Sequence, residues 1–438
     1  MTSELRIGIA GLGTVGASVV KLIERQNDAL IRSTGRPIRL VAVSARDRKR
    51  DRGVALDAYE WFEDPVALAQ SPQIDVLVEL MGGDEGQARA AVQAALQAGK
   101  SVVTANKALL AKHGAQLAAL AEKQSVALNY EAAVAGGIPI IKTLREAMAG
   151  NTVKRISGIL NGTCNYILSR MELEGLTYES CLFDAQALGY AEADPTFDVG
   201  GFDTAHKLAL LASLAFGTEI DASSIYVEGI EAITPLDLKM ADELGYRIKL
   251  LGVAERTATG IEQRVHPTMV SKQTALAQVM GVTNAVTISG DAVGELTLVG
   301  PGAGGMATAS SVMSDLADLA RGFAVSPFGM PVSEQNKAQR APMQRHEGGY
   351  YVRLAVLDRP GAVAAIATRM AEQKISLESI VQRQARKDLT GAAGASVPVV
   401  MTTYATSENA IRSALDAVLA DGHIAEKPQL IRIERQSF

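Results

Sequence analysis

The sequence GLGTVG at residues 11–16 most constrains the fold, because it lies directly between a strand pattern and a helix pattern. In that context the first glycine makes a tight turn, the second lets the backbone approach a pyrophosphate, and the third lets the helix pack against the strand. The anion would then lie at a helix N-terminus. A glycine turn in another kind of doubly wound domain is the alternative interpretation. The pattern predicts a dinucleotide site formed by Gly11, Leu12, Gly13, Thr14, Val15 and Gly16.

Strand-like runs repeat through the first 150 residues and alternate with helical stretches, many of them rich in alanine. These runs are RIGIA (6–10), LVAVSA (40–45), DVLVELMG (75–82), SVVTAN (101–106) and VALNYE (126–131). Such alternation predicts a parallel sheet with helices on both faces, which is a Rossmann-like doubly wound domain of the α/β class.

The pattern changes near Asn151, and three further parts follow. Residues 151–322 mix helices and strands in an α+β pattern, and their glycine-rich end, 300–322, predicts a turn and a long helix. We expect that helix to complete the nucleotide-binding domain at residues 1–150. Residues 323–348 contain several prolines and little periodicity, which predicts a linker. Residues 349–438 have the order βαββαβ, which is typical of a ferredoxin-like module.

Composition and charge exclude several classes of function. The net charge of -5 and the lack of a dense basic stripe argue against a nucleic-acid surface. The two cysteines provide no disulfide framework and are consistent with a reducing compartment. The longest apolar runs are too short to span a bilayer. We therefore expect a cytoplasmic protein that binds neither nucleic acid nor membranes.

The end of the second predicted strand bears on the choice of nicotinamide cofactor. Sites that prefer NAD usually place a carboxylate there, which binds the ribose 2′-hydroxyl. This chain instead has Ser44, Ala45 and Arg46 at that position. A hydroxyl and a guanidinium suit a 2′-phosphate better. The sequence therefore predicts NADP as the preferred cofactor, with NAD as the alternative.

The stretch GYAEADPTFDVGGFDTAHK (189–207) places several carboxylates in an irregular segment and a lysine just beyond them. Asp203 and Lys207 are four residues apart at the start of a helix pattern, so both side chains lie on one helical face. A surface ion pair is the alternative interpretation. The rest of this helix is strongly apolar, which favours a partly buried first turn. A cluster of acids beside a lysine can hold a substrate ammonium group and leave the lysine available for proton transfer.

At this point the sequence resembles the homoserine dehydrogenase family, and the resemblance covers essentially the whole chain. The motifs occur in the family's order: GLGTVG, TANKALL (104–110), YEAAVAGGIPII (130–141), GILNGTCNYI (158–167), the acidic stretch and GPGAGGMATASSVMSDL (300–316). Residues from Tyr350 onward, with the turn DRPG (358–361), resemble an ACT domain. The resemblance is to the monofunctional form with a C-terminal ACT domain.

The resemblance implies NAD(P)-dependent interconversion of L-homoserine and L-aspartate 4-semialdehyde, in threonine, methionine and isoleucine biosynthesis. By position, Lys207 matches the family's catalytic lysine, with Asp203 and Lys107 beside it. A substrate-binding group is implied, and it comprises Glu192, Asp198, Asn161, Gly162, Thr163 and Tyr190. Gly305 matches a glycine on the cofactor side, and Lys107 also lies near the nicotinamide.

The resemblance also implies a monovalent-cation site at Glu131 with the carbonyls of Val134, Gly136 and Ile138. An oxygen-only set with one carboxylate suits sodium better than zinc. For the middle domain and the ACT domain it implies dimerisation and regulation, so we expect a homodimer or homotetramer with threonine as an effector. An ACT domain that serves only oligomerisation is the alternative.

Two other functions are compatible with parts of the pattern. A phosphorylating aldehyde dehydrogenase would need a thiolate nucleophile paired with a histidine. Cys164 is the only candidate, and no histidine occurs in an adjacent motif, so we expect it to pack in the core. The other possibility is a non-enzymatic NADP sensor, which would have no use for Lys207.

Overall fold

The computed structural model describes residues 4–337, 339–382 and 396–434. Its first part is a parallel sheet in the order β3-β2-β1-β4-β5-β6, formed by the first 130 residues. The strands are β1 Leu5–Ala10, β2 Ile38–Ser44, β3 Glu60–Phe62, β4 Val76–Glu79, β5 Ser101–Thr104 and β6 Leu128–Asn129. The helices are α1 Thr14–Thr34, α2 Pro65–Gln70, α3 Gln87–Gln97 and α4 Lys107–Gln124. This arrangement confirms the predicted α/β class.

The central strands of this sheet are apolar because both faces are covered. Every residue of β4 is buried, and β1 is buried apart from Arg6. The order places β1 and β4 side by side, so the crevice between their carboxyl ends lies where the strand order reverses. In doubly wound sheets this switch point is where ligands bind.

The second part of the chain combines a mainly antiparallel sheet with helices. Its strands are β7 Val153–Ile159, β8 Tyr226–Val227, β9 Tyr246–Thr257, β10 Gly260–Ser271, β11 Thr283–Gly290 and β12 Gly294–Pro301. The short strand β8 pairs in parallel with β10. Its helices are α5 Ile140–Lys142, α6 Gly162–Glu174, α7 Tyr178–Ala187, α8 Thr196–Val199, α9 Phe202–Phe216, α10 Pro235–Glu243 and α11 Gly305–Arg321. The apolar helix α9 is buried along most of its length and packs on β9 and β10.

Helix α11 returns to the nucleotide-binding part of the chain. It packs along α1, and the apolar side chains of the two helices share one core cluster with the strands of the first sheet. The glycine-rich turn at residues 300–304 therefore lies beside the crevice. That this helix completes the first domain stays a prediction.

The C-terminal region has the βαββαβ order that the sequence predicts, with one further short strand, β16. Its elements are β13 Glu347–Leu357, α12 Ala362–Glu372, β14 Leu377–Gln382, β15 Ser396–Thr403, β16 Thr406–Ser407, α13 Glu408–Ala420 and β17 Gln429–Glu434. The strand order β17-β13-β15-β14 is that of a ferredoxin-like sheet. The glycine-rich stretch at 385–395 lies outside the described residues.

The sheet of the C-terminal region is continuous with the sheet of the second part. Strand β17 pairs with β10 on one side and with β13 on the other, and Met269 lies opposite Ile433 in the parallel pair. Residues 323–348, which the sequence predicts to be a linker, contact the first and the second part of the chain. Phe328 is buried against Tyr130, and Arg340 forms a backbone bridge with Ile261.

Among the described residues, no helix combines the length and apolar character that crossing a membrane requires.

Candidate active site

The three glycines of GLGTVG have three different environments. Gly11 has φ of +103°, and a Cβ there would lie 2.6 Å from the carbonyl of Leu80. A Cβ on Gly16 would lie 2.1 Å from the carbonyl oxygen of Gly11, so this glycine lets α1 approach β1. A Cβ on Gly13 would meet nothing within 4 Å. Gly13 therefore leaves open space at the N-terminus of α1, where free N–H groups favour an anion.

A cavity of about 570 Å³ lies in front of this turn. Gly11, Leu12 and Gly13 line it on one side, and the end of β2 lines it on the other with Ser44, Ala45 and Arg46. Gly11 N–H donates to the carbonyl of Ser44 at 2.9 Å, which holds the turn against β2. All three residues predicted to select the cofactor therefore line the cavity.

Two further arginines, which the sequence analysis did not identify, also line this cavity. Arg50 and Arg52 come from the basic run after β2, and both line the cavity together with Asp47. Nε of Arg52 donates to the carbonyl of Leu12 at 3.1 Å, and the guanidinium lies 5.8 Å from the ring centroid of Trp61. The hydrogen bond and the ring orient the side chain across the mouth of the cavity.

Glu79 at the end of β4 shapes the loop that connects this cavity to a second one. Its Oε1 accepts hydrogen bonds from the N–H groups of Met81 and Gly82 at 2.7 and 3.2 Å, and its Oε2 accepts from Thr104 at 2.6 Å. Burial raises the pKa of this carboxyl. Leu80, Met81 and Gly82 line both cavities, so the fully buried carboxylate fixes their shared wall. The only sequence signal for this residue is its position at a strand end.

The second cavity, about 300 Å³, contains both lysines predicted from the sequence. Lys107 begins α4 at the end of β5, and Lys207 belongs to the second turn of α9. Val15, Val134 and Gly136 also line this cavity. The ammonium groups thus lie beside the nucleotide crevice rather than in bulk water, and the Lys207 side chain is only 10% exposed.

Asp203 joins the two lysines through different oxygens. Its Oδ2 accepts a hydrogen bond from Nζ of Lys207 at 2.8 Å, and its Oδ1 lies 3.0 Å from Nζ of Lys107. Nζ of Lys207 also donates to the carbonyl of Leu160 at 2.7 Å. The lysine is therefore held from two directions, by Asp203 on its own helix and by the carbonyl that follows β7.

Asn161 separates the two acids of the cluster. Its Nδ2 donates to Oδ1 of Asp198 at 2.8 Å and to Oδ2 of Asp203 at 2.9 Å. Its Oδ1 accepts from the N–H of Cys164 at 2.8 Å and caps α6. The same amide thus starts a helix and bridges two carboxylates that would otherwise repel each other.

Asp198 and Asp203 have different environments, which shift their pKa values in opposite directions. Burial would raise the pKa of Asp203, but Lys207 and Lys107 together with the hydrogen bonds hold it well below its ordinary value. Asp198 lacks a direct lysine contact, and burial raises its pKa. Asp203 is thus a permanent anion, whereas Asp198 is the more easily protonated acid.

The remaining predicted substrate residues are not equally close to the cluster. Gly162 and Thr163 open α6 directly after Asn161, and Thr163 Oγ1 donates to the carbonyl of Tyr190 at 2.6 Å. Tyr190 is 44% exposed. Glu192 is also exposed, and the hydrogen bonds of the described residues include none that joins its carboxylate to Asp198, Asp203 or the lysines.

Cys164 has the packing environment that the sequence analysis expects. The residue is buried, its thiol donates to the carbonyl of Asp198 at 3.2 Å, and burial raises its pKa well above the ordinary value. A thiolate nucleophile needs the opposite environment.

The loop predicted to hold a monovalent cation is acidic and buried. Both carboxylate oxygens of Glu131 accept N–H groups, from Ile141 at 2.8 Å and from Lys142 at 2.9 Å. Glu131 N–H donates to Asp315, whose other oxygen, Oδ1, is buried and lacks a hydrogen bond among the described residues. Burial raises the pKa of Glu131 to about 7 and that of Asp315 to about 6.

Nζ of Lys142 lies 3.6 Å from Oδ1 of Asp315 and also pairs with Asp318, so this ammonium group offsets only part of the negative charge here. The remaining negative charge fits a bound cation. The Glu131 carboxylate is already occupied by the N-terminus of α5, so backbone oxygens such as that of Val134 suit the cation better than this side chain. The carbonyl of Gly136 accepts from Ser311 at 2.6 Å and retains a second lone pair. Among the described residues, no group of three His, Cys, Asp or Glu side chains could hold a metal ion.

Gly305 differs from the position expected for a cofactor-side glycine. A Cβ there would lie 2.6 Å from Oγ of Ser18 and 2.9 Å from Thr14, so this residue lets α11 approach α1. The cavity is lined instead by Gly302, Ala303 and Thr308. The glycine run of the sequence indicated the turn, but only the packing of the two helices shows which glycine faces the crevice.

Comparison with known proteins gives one consistent result. The family model described as "Homoserine dehydrogenase" matches residues 139–317, and the one described as "Homoserine dehydrogenase, NAD binding domain" matches residues 11–131. A homoserine dehydrogenase of Neisseria gonorrhoeae is 42% identical over 436 residues, which cover 98% of each chain. One of Mycobacterium tuberculosis is 42% identical over 422 residues, 95% of each chain.

Solved structures agree with these relatives. A homoserine dehydrogenase of Thiobacillus denitrificans has a TM-score of 0.92 at 40% identity, covering 99% of this chain and 98% of its own. That of S. aureus has a TM-score of 0.76 at 30% identity, covering 99% of this chain and all of its own. A hyperthermophilic archaeal enzyme in complex with NADPH has a TM-score of 0.63 at 27% identity, covering 73% of this chain and 98% of its own.

Proposed function

The chain belongs to the homoserine dehydrogenase family, and from that premise we propose how its residues interconvert L-homoserine and L-aspartate 4-semialdehyde. The enzyme is an NAD(P)-dependent oxidoreductase. The observation that best supports the residue roles is the presence of Lys107 and Lys207 in one cavity, bridged by Asp203, beside the nucleotide crevice. A bound nicotinamide ring supplies the hydride acceptor, or the donor in the reverse direction.

Lys207 transfers the proton at the alcohol oxygen. When the aldehyde is reduced, its ammonium group donates a proton to the oxygen as negative charge develops there, and when homoserine is oxidised the neutral amine accepts that proton. Asp203 and the carbonyl of Leu160 hold the Nζ atom in place, which limits the motion needed for the transfer. The partial burial of the Lys207 side chain excludes most of the competing water.

Asp198, Asn161 and Thr163 form the substrate side of the site. Homoserine carries an ammonium and a carboxylate, and both must be anchored to present the hydroxyl carbon to the cofactor. The carboxylate of Asp198 and the exposed residues Glu192 and Tyr190 are the groups available to contact the ammonium end. Lys107, whose side chain is one third exposed, provides a cation for the substrate oxygens.

NADP is the preferred cofactor in this proposal. Arg46, Arg50 and Arg52 line the cavity at the end of β2, where a 2′-phosphate would lie, and Asp47 from the same run lines it with them. Guanidinium groups bind phosphate through paired hydrogen bonds. The NADPH complex of the archaeal relative supports a nicotinamide cofactor of this class.

A sodium-like cation is held by the loop from Glu131 to Ile138. The buried negative charge of Glu131 and Asp315 supports this assignment, and a cation would strengthen the contact between this loop and the turn at residues 300–303. Gly137 N–H already donates to the carbonyl of Pro301 at 2.9 Å. Because both segments line the second cavity, a cation held there would stabilise the wall of the site.

The C-terminal region is an ACT domain that binds threonine in this proposal. Its ferredoxin-like strand order and the DRPG turn before α12 support the assignment. We also propose that the chain assembles as a homodimer or homotetramer. Added threonine is expected to lower the rate or raise the KM for homoserine, and unchanged kinetics would remove the effector from the proposal while leaving the dehydrogenase activity in place.

The decisive experiment is a steady-state assay with L-homoserine and oxidised cofactor, followed at the nicotinamide absorbance. We expect reduction of NADP, with a higher kcat/KM for NADP than for NAD. Arg46→Ala is expected to lower that ratio, since it removes one guanidinium from the 2′-phosphate position. A wild-type ratio well below one would overturn the cofactor preference, and no reduction of either cofactor would overturn the proposed activity.

A further inference from the structure

Arg432 is a buried arginine in the last strand, and two parts of the chain neutralise it. Its Nη1 donates to Oε2 of Glu228 at 2.6 Å, and its Nε donates to Oε2 of Glu408 at 3.1 Å. The guanidinium carbon lies 5.0 Å from the ring centroid of Tyr226. Only 1% of the residue is exposed. Arg412 Nη2 also lies 3.1 Å from Oε1 of Glu228. Because buried charges are stabilised by well-placed partners, these contacts favour one position for Glu228.

Glu228 begins a segment that is packed tightly against the turn before α9. Its N–H donates to the carbonyl of Val265 at 2.8 Å, and two residues later Ile230 N–H donates to the carbonyl of Val199 at 3.0 Å. A Cβ on Gly229 would lie 2.5 Å from the same Val199 oxygen and 2.9 Å from Cα of Gly200. The backbone around Gly229 is in direct contact with the backbone of Val199 and Gly200. We therefore expect a displacement of Glu228 to be transmitted to the turn.

That turn lies between the two acids of the candidate active site. Asp198 precedes Val199, and Gly201 starts α9, whose first turn contains Asp203. A Cβ on Gly201 would lie 3.0 Å from Val265, which shows that β10 also confines this end of the helix. The positions of both carboxylates therefore depend on the segment that Arg432 holds.

We propose that Arg432 is a positioning residue for the active site, acting through Glu228 on the turn that carries Asp198 and Asp203. This inference rests on the proposed function, in which these acids hold homoserine and orient the lysine. It gives the C-terminal region an indirect part in substrate binding, independent of any effector. A displacement of about 1 Å in a binding group is enough to lower catalytic efficiency considerably.

The test compares Arg432→Gln and Glu228→Gln with the wild type in full-length protein. Both variants are expected to raise the KM for homoserine about tenfold, because the acids are misplaced. The KM for NADP is expected to change by less than about twofold, because residues of the first sheet form the cofactor cavity. The double variant should raise the KM for homoserine no further than Arg432→Gln alone, since both substitutions break the contact between Arg432 and Glu228 through which Arg432 acts.

Arg353→Gln is the matched control. Arg353 also belongs to the C-terminal region and pairs with a buried carboxylate of the second part, with its Nε 2.7 Å from Oδ1 of Asp237. Asp237 caps α10 and lies outside the segment that contacts the turn. The control should lower the Tm while the KM for homoserine stays at the wild-type value. An unchanged homoserine KM in Arg432→Gln and Glu228→Gln, or an equal increase in Arg353→Gln, would overturn the proposal.

Hydrogen exchange of the peptide covering residues 196–203 provides a readout that does not need activity. Arg432→Gln and Glu228→Gln should accelerate its exchange, and Arg353→Gln should not. Should Arg432→Gln fail to fold, Glu228→Gln decides the question, since its side chain keeps nearly the same shape. A wild type that does not oxidise homoserine refutes the proposed function, whereas unchanged exchange in both variants refutes the role of Arg432.

Discussion

At the scale of single residues, the proposed chemistry depends on the different contacts that the two carboxylate oxygens of Asp203 make. Because one oxygen contacts Lys207 and the other contacts Lys107, each lysine has a fixed anionic partner. Lys207 and Lys107 favour the charged form of Asp203, since they hold its pKa well below its ordinary value. The lysines can therefore exchange protons with a substrate without a change in the charge of the carboxylate between them.

Replacing Lys207 separates its catalytic role from its structural one. Lys207→Ala is expected to lower kcat by about 10²–10⁴-fold, the range typical of a lost proton donor. Folding should be little affected, because Asp203 keeps its contacts with Lys107 and Asn161. Steady-state kinetics and thermal denaturation measure the two effects.

The control for that prediction is Lys272→Ala, which removes a partly exposed lysine that pairs with Asp242 at the surface. It should retain wild-type kcat. Near wild-type turnover in Lys207→Ala would remove this lysine from the mechanism, and the same measurement on Lys107→Ala would then show whether the other ammonium group transfers the proton.

At the scale of elements, the turn between β1 and α1 contains two glycines with different roles, Gly13 and Gly16. Substituting each by alanine tests these roles separately. Gly16→Ala is expected to lower the Tm, because its Cβ would overlap the carbonyl oxygen of Gly11. Gly13→Ala has open space for its Cβ, so the fold should be unchanged while the KM for NADP rises, because the methyl group occupies the pyrophosphate position. Equal effects of the two substitutions on stability would contradict this division.

The loop that carries Glu131 should make stability depend on pH and on the cation. The pKa values of Glu131 and Asp315 are raised to about 7 and about 6, above their unfolded values. Their contribution to stability is therefore complete at low pH and is lost as the pH rises through about 6 to 7. Between about pH 5 and 8 the Tm of the wild type should fall more steeply than that of Asp315→Asn.

Sodium should offset this loss. At pH 8, sodium chloride is expected to raise the wild-type Tm above its value in an equal concentration of a bulky organic chloride salt, since a bound cation neutralises the buried acids. The difference should shrink in Asp315→Asn. Identical Tm values in the two salts would argue against a cation in this loop.

At the scale of the whole molecule, the continuous sheet links the second part of the chain to the C-terminal region. Strand β17 is internal to this sheet, whereas β14 forms one of its edges. A proline interrupts an internal strand far more than an edge strand. Ile433→Pro should therefore increase hydrogen exchange in β10, which pairs with it, while Ile380→Pro in β14 should leave β10 unchanged. Protection of β10 that survives Ile433→Pro would show that the two parts fold independently.

The sequence by itself determined the features that depend on local residue patterns. The alternation of strands and helices predicted the parallel sheet, GLGTVG predicted the turn at its switch point, and the four-residue spacing of Asp203 and Lys207 predicted their contact. The order of the family motifs then indicated the reaction. These features can be predicted from the sequence because helix and strand periodicities and the steric demands of glycine act over a few residues.

Only the tertiary structure decided which distant segments meet. The pairing of Lys107 with Asp203, the burial of Glu79 in the wall between two cavities and the contact of Arg432 with Glu228 all join residues from different elements. So does the pairing of β17 with β10, which converts a separate module into part of the catalytic sheet. Such contacts depend on strand register and on the space left by packed neighbours, and neither quantity leaves a periodic trace in the sequence.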